Sequence, residues 1–536
     1  MALAISVWLL SILPIIYGYR IANADQIFIG YKHFWPEETA WQLNWAKQVE
    51  RGHFFGELKY YSPDVKTELI FNPVSIAIGL TSRLTGIPLV YLFHFFRLLF
   101  SISLLLMIYF FISLFFKESF WRIYALAFIV ISSGLYWLTI VFNHPILTDC
   151  WDVESSVFST ISVESFLPFA ISLMLGIFIY SLKYYEYSNI RYSFYSGFIA
   201  LLLGTIHPFT LILIYLILGL YSVFLIISFF SFFKKIYIQK MKRIIIHYSI
   251  IINISIPIII FYLYIILVDP VINNYFNISD KFTISIILSD YGFELLLAFI
   301  GIFFIYKYKE NTFYFPALWL IICLFLILIS VPFLKIRMFL LNGLNIPIGI
   351  LGVYTISKYF SFKLNGKYYF HLKNALKLFI LTFFLIFFSI TNILLYSNHF
   401  KELSRKQIPY FLNKDIFLAL KWLQDNTQSQ DFILSPVEIH QLIPYLTGNR
   451  SYSYLDDSEF IAIERKKKIE WFFDENIIKT PNEILNFLKI NKINFIFYGP
   501  SKSLDQKLLF EKQLLFSSNI LKVFSNNMTD IYKYRG

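Results

Sequence analysis

The sequence contains a succession of apolar runs, each roughly 18–25 residues long, with short polar connections between most of them. A run of that length can cross a bilayer as a helix, and soluble proteins do not contain so many. The runs are continuous rather than alternating, which argues against a β-barrel. With 57% hydrophobic and only 15% charged residues, the sequence predicts a polytopic α-helical membrane protein.

The apolar runs predict eleven membrane spans. Their approximate positions are 3–19, 97–116, 123–141, 165–182, 194–207, 209–232, 245–268, 288–306, 314–334, 338–357 and 375–396. The first run has neither a basic segment before it nor a clear cleavage site, so we interpret it as a retained span and not as a removed signal peptide.

The short loops between these spans predict the orientation of the chain. One set of short loops holds sixteen Lys and Arg residues, whereas the opposite set holds only Lys281, Lys335 and Arg337. The basic set is expected in the cytoplasm. The N-terminus is then cytoplasmic, and the long loop 20–96, the loop 142–164 and the tail 397–536 lie outside the plasma (inner) membrane.

The last 140 residues differ in character from the rest of the chain. Amphipathic stretches such as DIFLALKWLQDN and PNEILNFLKI alternate there with short apolar runs such as DFILSP and INFIFYG. This pattern predicts a small α/β domain that can bury its own core. We therefore expect a transmembrane domain at 1–396, with the large first outer loop 20–96, and a soluble extracytoplasmic α/β domain at 397–536.

The net charge of +12 does not indicate a nucleic-acid partner, because the basic residues cluster at the ends of spans. The partner that the composition indicates is the lipid bilayer. The two cysteines form no disulfide framework, and no phosphate-binding glycine motif indicates a nucleotide cofactor.

Acidic residues of the first outer loop are candidates for catalysis. The loop contains Glu37 and Glu38 in FWPEETAW, followed by Asp64 and Glu68. Carboxylates gathered at a membrane surface can act as general bases or as metal ligands, and oxygen ligands suit Mg²⁺, Mn²⁺ or Ca²⁺. The alternative is that these side chains are solvated loop charges.

The second outer loop, NHPILTDCWDVESSVF, offers another acidic group. It contains His144, Asp149, Asp152 and Glu154 and has no Lys or Arg to pair with them. We therefore favour a functional role for the three carboxylates, as catalytic groups or, for Asp149 and Asp152, as ligands of a divalent cation such as Mg²⁺ or Mn²⁺.

The candidates for substrate binding are His144 of the second outer loop and four further residues. Arg97 lies at the start of the second span and either extends to the membrane interface or binds an anion. His207 precedes Pro208 in an apolar run, as a turn residue or facing an outer cavity. Lys335 and Arg337 lie outside against the positive-inside bias, which indicates either an anionic partner such as a lipid phosphate or an ion pair with an outer carboxylate.

The arrangement of an acidic first outer loop, many spans and a C-terminal outer domain resembles the C-type glycosyltransferase superfamily (GT-C). Finer likenesses to a bacterial branch of GT-C-like proteins lie in ELIFNPVSIAIGLTSRLTGIPLVYLFHFFRLLF, DCWDVESSVFSTISVESFLPFAISL, GTIHPFTLI, LTGNRSYSYLDD and NFIFYGPSK. The resemblance implies an inverting membrane enzyme that takes sugar from a polyprenyl-phosphate-linked donor. It also implies that Glu37 or Glu38 is the base or a metal ligand.

The sequence departs from the family pattern in two places. The first-loop motif of the family often has an Asp where Glu37 and Glu38 stand, and the branch often has a His in the segment that reads Leu167-Pro168-Phe169 here.

The expected acceptor is an envelope glycan, lipid or protein. Two alternatives stay open: a lipid-linked glycan flippase or transporter, and a non-catalytic envelope assembly protein.

Overall fold

The structure is a computed structural model. It describes residues 2–31, 36–57, 59, 71–142, 156–163, 165–229, 234–268, 284–328, 341–363, 370–452, 460–474, 477, 479–500, 504–514 and 518–536. These residues divide into two compact units. The membrane unit consists of the described residues of 1–12 and 96–398, and the loop–tail unit of those of 13–95 and 399–536. The first loop therefore groups with the tail, which the predicted division at 396/397 did not anticipate.

The chain is a membrane protein built mainly from helices. Among the described residues, six helices are long and apolar enough to cross a membrane: Leu89–Ile112, Leu167–Tyr187, Pro208–Ile227, Ile238–Val268, Asp290–Tyr308 and Lys377–Ser404. Shorter apolar helices occupy Ile5–Ile21, Ser119–Ile131 and Asn311–Ile327. Helices Arg191–Ile206 and Asn345–Lys363 coincide with two further predicted spans.

The predicted span 123–141 is not one continuous helix. A helix at Ser119–Ile131 ends where Ser132 adopts an extended backbone, and a second helix begins at Tyr136. The backbone groups released by this break are bonded by the helix Phe370–Ser404. Thr391 Oγ1 donates to the Gly134 carbonyl (3.0 Å), and Asn392 Nδ2 donates to the Ile131 carbonyl (3.0 Å). Such compensation allows an irregular backbone inside a membrane protein.

Glycines bring helices of the membrane unit into close contact. A Cβ atom on Gly301 would lie 2.7 Å from the carbonyl oxygen of Leu351, on the helix Asn345–Lys363. A Cβ atom on Gly197 would lie 2.6 Å from Ile254. Lipid tails are as apolar as leucine, so tight packing at small residues is a main source of helix association in membranes.

The loop–tail unit contains two sheets, and the smaller one pairs the first loop with the tail. Strands β1 (Gln26–Phe28) and β2 (Phe411–Asn413) pair antiparallel. A five-stranded sheet has the order β4-β3-β5-β7-β6. Its strands are β3 (Phe432–Leu434), β4 (Arg450–Ser451), β5 (Phe495–Tyr498), β6 (Ile520–Ser525) and β7 (Asp530–Tyr534). Strands β4, β3 and β5 are parallel, and β7 is antiparallel to both β5 and β6.

The helices of the loop–tail unit include the two amphipathic stretches of the tail, which form Lys414–Asn426 and Pro481–Ile490. A capping box between Thr480 and Glu483 starts the second of them. The remaining helices are Pro36–Glu50, Pro73–Thr85, Leu442–Thr447, Phe460–Phe473 and Leu504–Leu514. Ile484 and Leu488 pack with strand residues such as Ile496 in a buried core.

A buried ion cluster connects the first loop to the tail. The Glu57 carboxylate pairs with the Arg450 guanidinium, and both side chains are less than 10% exposed. Lys59 lies 3.7 Å from the same carboxylate and donates to the Gly448 carbonyl (2.6 Å). Ser451 N–H donates to the Lys59 carbonyl (2.9 Å). The first loop is thus part of the same packed body as the tail sheet.

Candidate functional site

The two glutamates of the first loop lie at the start of a helix. The helix Pro36–Glu50 begins at Pro36, a residue well suited to the first helical position. Glu37 and Glu38 therefore belong to the first turn, where a negative charge is also favoured by the exposed backbone N–H groups. The Glu38 side chain is partly exposed, whereas the Glu37 side chain lies outside the described part of the structure.

Arg97 is fully buried inside the membrane unit. It stands eight residues after the start of the helix Leu89–Ile112, which is about 12 Å along the axis. Its Nη1 donates to the carbonyls of Ile161 (2.8 Å) and Ser162 (3.2 Å) and to Ser11 Oγ (3.1 Å). The side chain is 0% exposed. Arg97 therefore does not extend to the interface, and the other role inferred from the sequence, anion binding, stays a prediction.

One part of the Arg97 guanidinium has no protein partner. Nε and Nη2 are buried and make no hydrogen bond within the part of the chain that the structure describes. The acceptors of Nη1 are neutral carbonyls and a hydroxyl, so the positive charge has no counter-ion among the described residues. A buried cation without a counter-charge is costly in an apolar protein interior. The arrangement fits a monoanionic or dianionic oxygen ligand, because Nε and Nη2 form the fork that binds two oxygens at once.

His207 connects two helices and their polar neighbours. It ends the helix Arg191–Ile206, and Pro208 begins the next one. Thr210 Oγ1 lies 2.8 Å from His207 Nδ1 and accepts a hydrogen bond from Asn342 Nδ2 (2.8 Å). The Thr210 backbone N–H also donates to Nδ1 (3.4 Å), which makes Nδ1 an acceptor and places the proton of a neutral ring on Nε2. His207 is thus buried at the turn between the two helices, and its role as a substrate contact stays a prediction.

The sequence analysis missed two acidic residues inside an apolar helix. Asp290 and Glu294 lie on the helix Ile284–Tyr308 and are 7% and 1% exposed. Glu294 Oε1 has no hydrogen-bond partner among the described residues, and Ser132 lies beside the carboxyl group. The sequence does indicate these two acids, because the short polar segment SDYGFE interrupts an apolar run. An ionisable residue inside a membrane-spanning helix is a candidate functional residue.

Gly292 breaks the helix between these two acids. Its backbone has φ 42° and ψ −122°, which is not helical and which residues with a side chain rarely adopt. A Cβ atom at this position would also collide with Leu135, in the segment between helices Ser119–Ile131 and Tyr136–Phe142. The acid pair therefore flanks a kink that faces a second helix break.

Several predicted site residues lie outside the described residues. These are His144, Asp149, Asp152, Glu154, Lys335 and Arg337. The proposed metal ligands Asp149 and Asp152 are among them. Within the described ranges, no group of three or more His, Cys, Asp or Glu side chains could hold a metal ion. A divalent cation thus remains a prediction.

Comparisons with known proteins give similar solved structures, among them the two described below. No family model matches the chain, and no curated protein matches it. The oligosaccharyltransferase of Archaeoglobus fulgidus, solved with Zn and sulfate, is 11% identical with a TM-score of 0.47, over 91% of this chain and 67% of that chain. ArnT from Cupriavidus metallidurans, solved in the apo state, is 10% identical with a TM-score of 0.48, over 99% of this chain and 96% of that chain. The function is therefore argued from the residues of this chain.

Proposed function

We propose that this chain is an integral membrane glycosyltransferase. It takes a sugar from a polyprenyl-phosphate-linked donor and transfers it to an envelope glycan, lipid or protein at the outer face of the plasma membrane. The observation that supports this proposal is the buried Arg97, whose Nε and Nη2 have no partner among the described residues. A lipid-linked phosphate is an anion that reaches a membrane-embedded guanidinium from within the bilayer.

The chemistry is a single displacement at the anomeric carbon. The acceptor hydroxyl oxygen bonds to that carbon while the bond from the carbon to the phosphate oxygen breaks, so the configuration inverts and the polyprenyl phosphate leaves. A carboxylate of Glu38 or Glu37 accepts the hydroxyl proton. Arg97 stabilises the charge that grows on the leaving phosphate. Lys335, Arg337, His144 and His207 are further candidate substrate contacts.

The carboxylates of the second loop have two further roles in this proposal. Asp149, Asp152 and Glu154 come directly before Ser156, where the described chain resumes. They are the alternative base, and Asp149 and Asp152 are the residues that would hold a divalent cation. Such a cation would neutralise the leaving phosphate.

The phosphate role is tested with bare polyprenyl phosphate and purified protein in lipid nanodiscs. We expect Arg97→Gln to bind the radiolabelled lipid about 10- to 100-fold more weakly than wild type, because a charge-assisted hydrogen-bond pair is lost. Arg122→Gln is the control. Arg122 also donates to backbone carbonyls, those of Phe116 (2.7 Å) and Lys117 (3.0 Å), in the same unit. Equal binding by wild type and Arg97→Gln would reject the phosphate site.

The transfer step is tested with polyprenyl-phosphate-linked hexoses and membrane acceptors. Removal of the general base should lower transfer by about 10²- to 10⁴-fold. Glu38→Gln, Glu37→Gln and Asp149→Asn/Asp152→Asn variants, with and without Mn²⁺ or Mg²⁺, identify which carboxylate acts. Transfer that survives in all three variants would contradict the acidic mechanism.

A lipid-linked glycan flippase is the second candidate. The observation that favours it is the buried pair Asp290 and Glu294 beside the kink at Gly292, since transporters use intramembrane charges and broken helices. Reconstituted vesicles distinguish the two functions. A flippase would move fluorescent polyprenyl-phosphate sugar between leaflets without acceptor and would lose this activity in Glu294→Gln. A transferase would form product in detergent, where there are no leaflets.

A further inference from the structure

The helix Pro36–Glu50 has two faces of different character. Leu43, Ala46 and Val49 are at most 3% exposed, and this face packs on the helix Pro73–Thr85. Helical periodicity places Glu38, Trp41, Asn44, Trp45 and Gln48 together on the other side. That side is therefore a polar and aromatic face on the same helix as the proposed base.

The two tryptophans of this face form a pair. Trp41 and Trp45 lie one helical turn apart, with ring centroids 5.3 Å apart and planes inclined at 57°. Both side chains are partly exposed, so the pair is not a closed core contact. The Nε1–H groups of both indoles are nevertheless buried and lack an acceptor among the described residues.

Asn44 adds a third donor without an acceptor. Its side chain is 0% exposed, and its Oδ1 accepts a hydrogen bond from Gln48 Nε2 (3.4 Å). Gln48 is in turn held by the backbone of Glu57, to which Nε2 donates (3.0 Å) and from which Oε1 accepts (2.9 Å). This chain of bonds sets the orientation of the Asn44 amide. Its Nδ2 has no partner in the described part of the chain.

Three buried N–H groups on one helical face thus lack acceptors. An unsatisfied buried donor destabilises a protein, because it has lost its hydrogen bonds to water without replacement. A ligand rich in hydroxyl groups would supply the acceptors, and the C–H faces of a pyranose ring would pack on the indole planes. A purely apolar ligand would leave the donors unsatisfied, and a simple anion would not use the aromatic surface.

We infer that Trp41, Trp45 and Asn44 form a sugar-binding site that holds a pyranose ring beside Glu38. This inference rests on the proposed function and deepens it, because it names residues that recognise the sugar and not the phosphate. The sugar is either that of the donor or that of a glycan acceptor. In both cases the site places a ring hydroxyl or anomeric carbon near the first-loop carboxylate.

Saturation-transfer NMR of purified wild type with methyl α- and β-hexosides tests sugar contact directly. We expect transfer from aromatic protons to the sugar C–H protons in wild type and its loss in Trp41→Ala/Trp45→Ala. Trp422→Ala is the matched control, because Trp422 is also partly exposed in this unit and pairs with Phe524 (5.8 Å). Signals that persist in the double variant, or that are absent from wild type, would overturn the inference.

Single substitutions separate ring stacking from hydrogen bonding. Trp41→Phe keeps an aromatic face but removes the N–H donor, and Asn44→Leu removes the amide at similar volume. We expect each to weaken sugar binding about 2- to 10-fold, with circular dichroism and thermal unfolding as checks on folding. Unchanged binding in folded Trp41→Phe and Asn44→Leu would contradict the roles of the donors.

Binding and transfer assays identify the source of the sugar. If the sugar belongs to the donor, Trp41→Ala loses the preference of wild type for polyprenyl-phosphate-linked hexose over bare polyprenyl phosphate. If it belongs to the acceptor, that preference is kept and the KM for acceptor rises. Failure of the proposed function would look different: bare polyprenyl phosphate would not bind, while saturation transfer to the hexosides would persist.

Discussion

At the scale of single residues, the partners of a buried charged group distinguish a structural role from a proposed ligand-binding role. Arg97 and Lys59 are both buried cations. Lys59 has protein partners for its charge, namely the Glu57 carboxylate and the carbonyls of Gly448 and Ser429. Arg97 has only neutral acceptors for one nitrogen. The partners of Lys59 therefore support a structural role, whereas those of Arg97 are consistent with the proposed anion site.

Lys59 provides a pH-dependent prediction. Burial lowers the pKa of its ammonium group to about 8, with Arg51 and Arg450 acting in the same direction and Glu57 opposing them. Between pH 8 and the unfolded value near 10.5, the unfolded chain holds the extra proton, so stability rises with pH. We expect the Tm of wild type to rise relative to the Tm of Lys59→Gln as the pH increases from 8 to 10.

The control for this experiment is Lys421→Gln, which alters an exposed lysine of the same unit. Its Tm should follow wild type across the same pH range. Parallel Tm curves for wild type and Lys59→Gln would show that Lys59 does not titrate in this window.

At the scale of elements, the helix Pro36–Glu50 is held by close contact with the helix Pro73–Thr85. A Cβ atom on Gly79 would collide with the Ala46 carbonyl oxygen and with Val49. Backbone atoms cannot turn away as a flexible side chain can, so the helices must separate. The contact therefore positions the helix that bears Glu38, Trp41 and Trp45.

We expect Gly79→Ala to destabilise the protein by about 1–3 kcal/mol and to lower transfer activity. Gly176→Ala is the matched control, because a Cβ atom there would lie at ordinary contact distances of 3.5–3.8 Å from its neighbours. Thermal unfolding and the transfer assay measure the two effects. Activity and stability equal to those of Gly176→Ala would show that the helices adjust without loss.

At the scale of the whole molecule, the two compact units do not follow chain order. The described residues of 13–95 and 399–536 join in one unit although more than 300 residues separate the two segments. Antiparallel pairing of β1 with β2 and the buried ion pair of Glu57 with Arg450 connect the two segments. The first loop and the tail should therefore unfold together.

The Glu57–Arg450 pair tests this coupling. We expect Glu57→Ala to destabilise the loop–tail unit by about 3–5 kcal/mol, because it leaves a buried guanidinium without its counter-charge. The double variant Glu57→Ala/Arg450→Ala should cost less than the sum of the single changes. Limited proteolysis should cut both segments at the same denaturant concentration. Independent cleavage of the first loop would contradict a single unit.

The sequence by itself determined the membrane class and the approximate positions of many apolar helices, and it identified the first-loop acids as candidates. Apolar run length is a local property, and it is sufficient to place a helix in a bilayer. Only the tertiary structure decided that Arg97 is buried with part of its guanidinium unpaired, that His207 is buried at a turn and that the first loop packs with the tail. It also located Asp290 and Glu294 at a kink. These features depend on contacts between residues far apart in the chain, which no local pattern encodes.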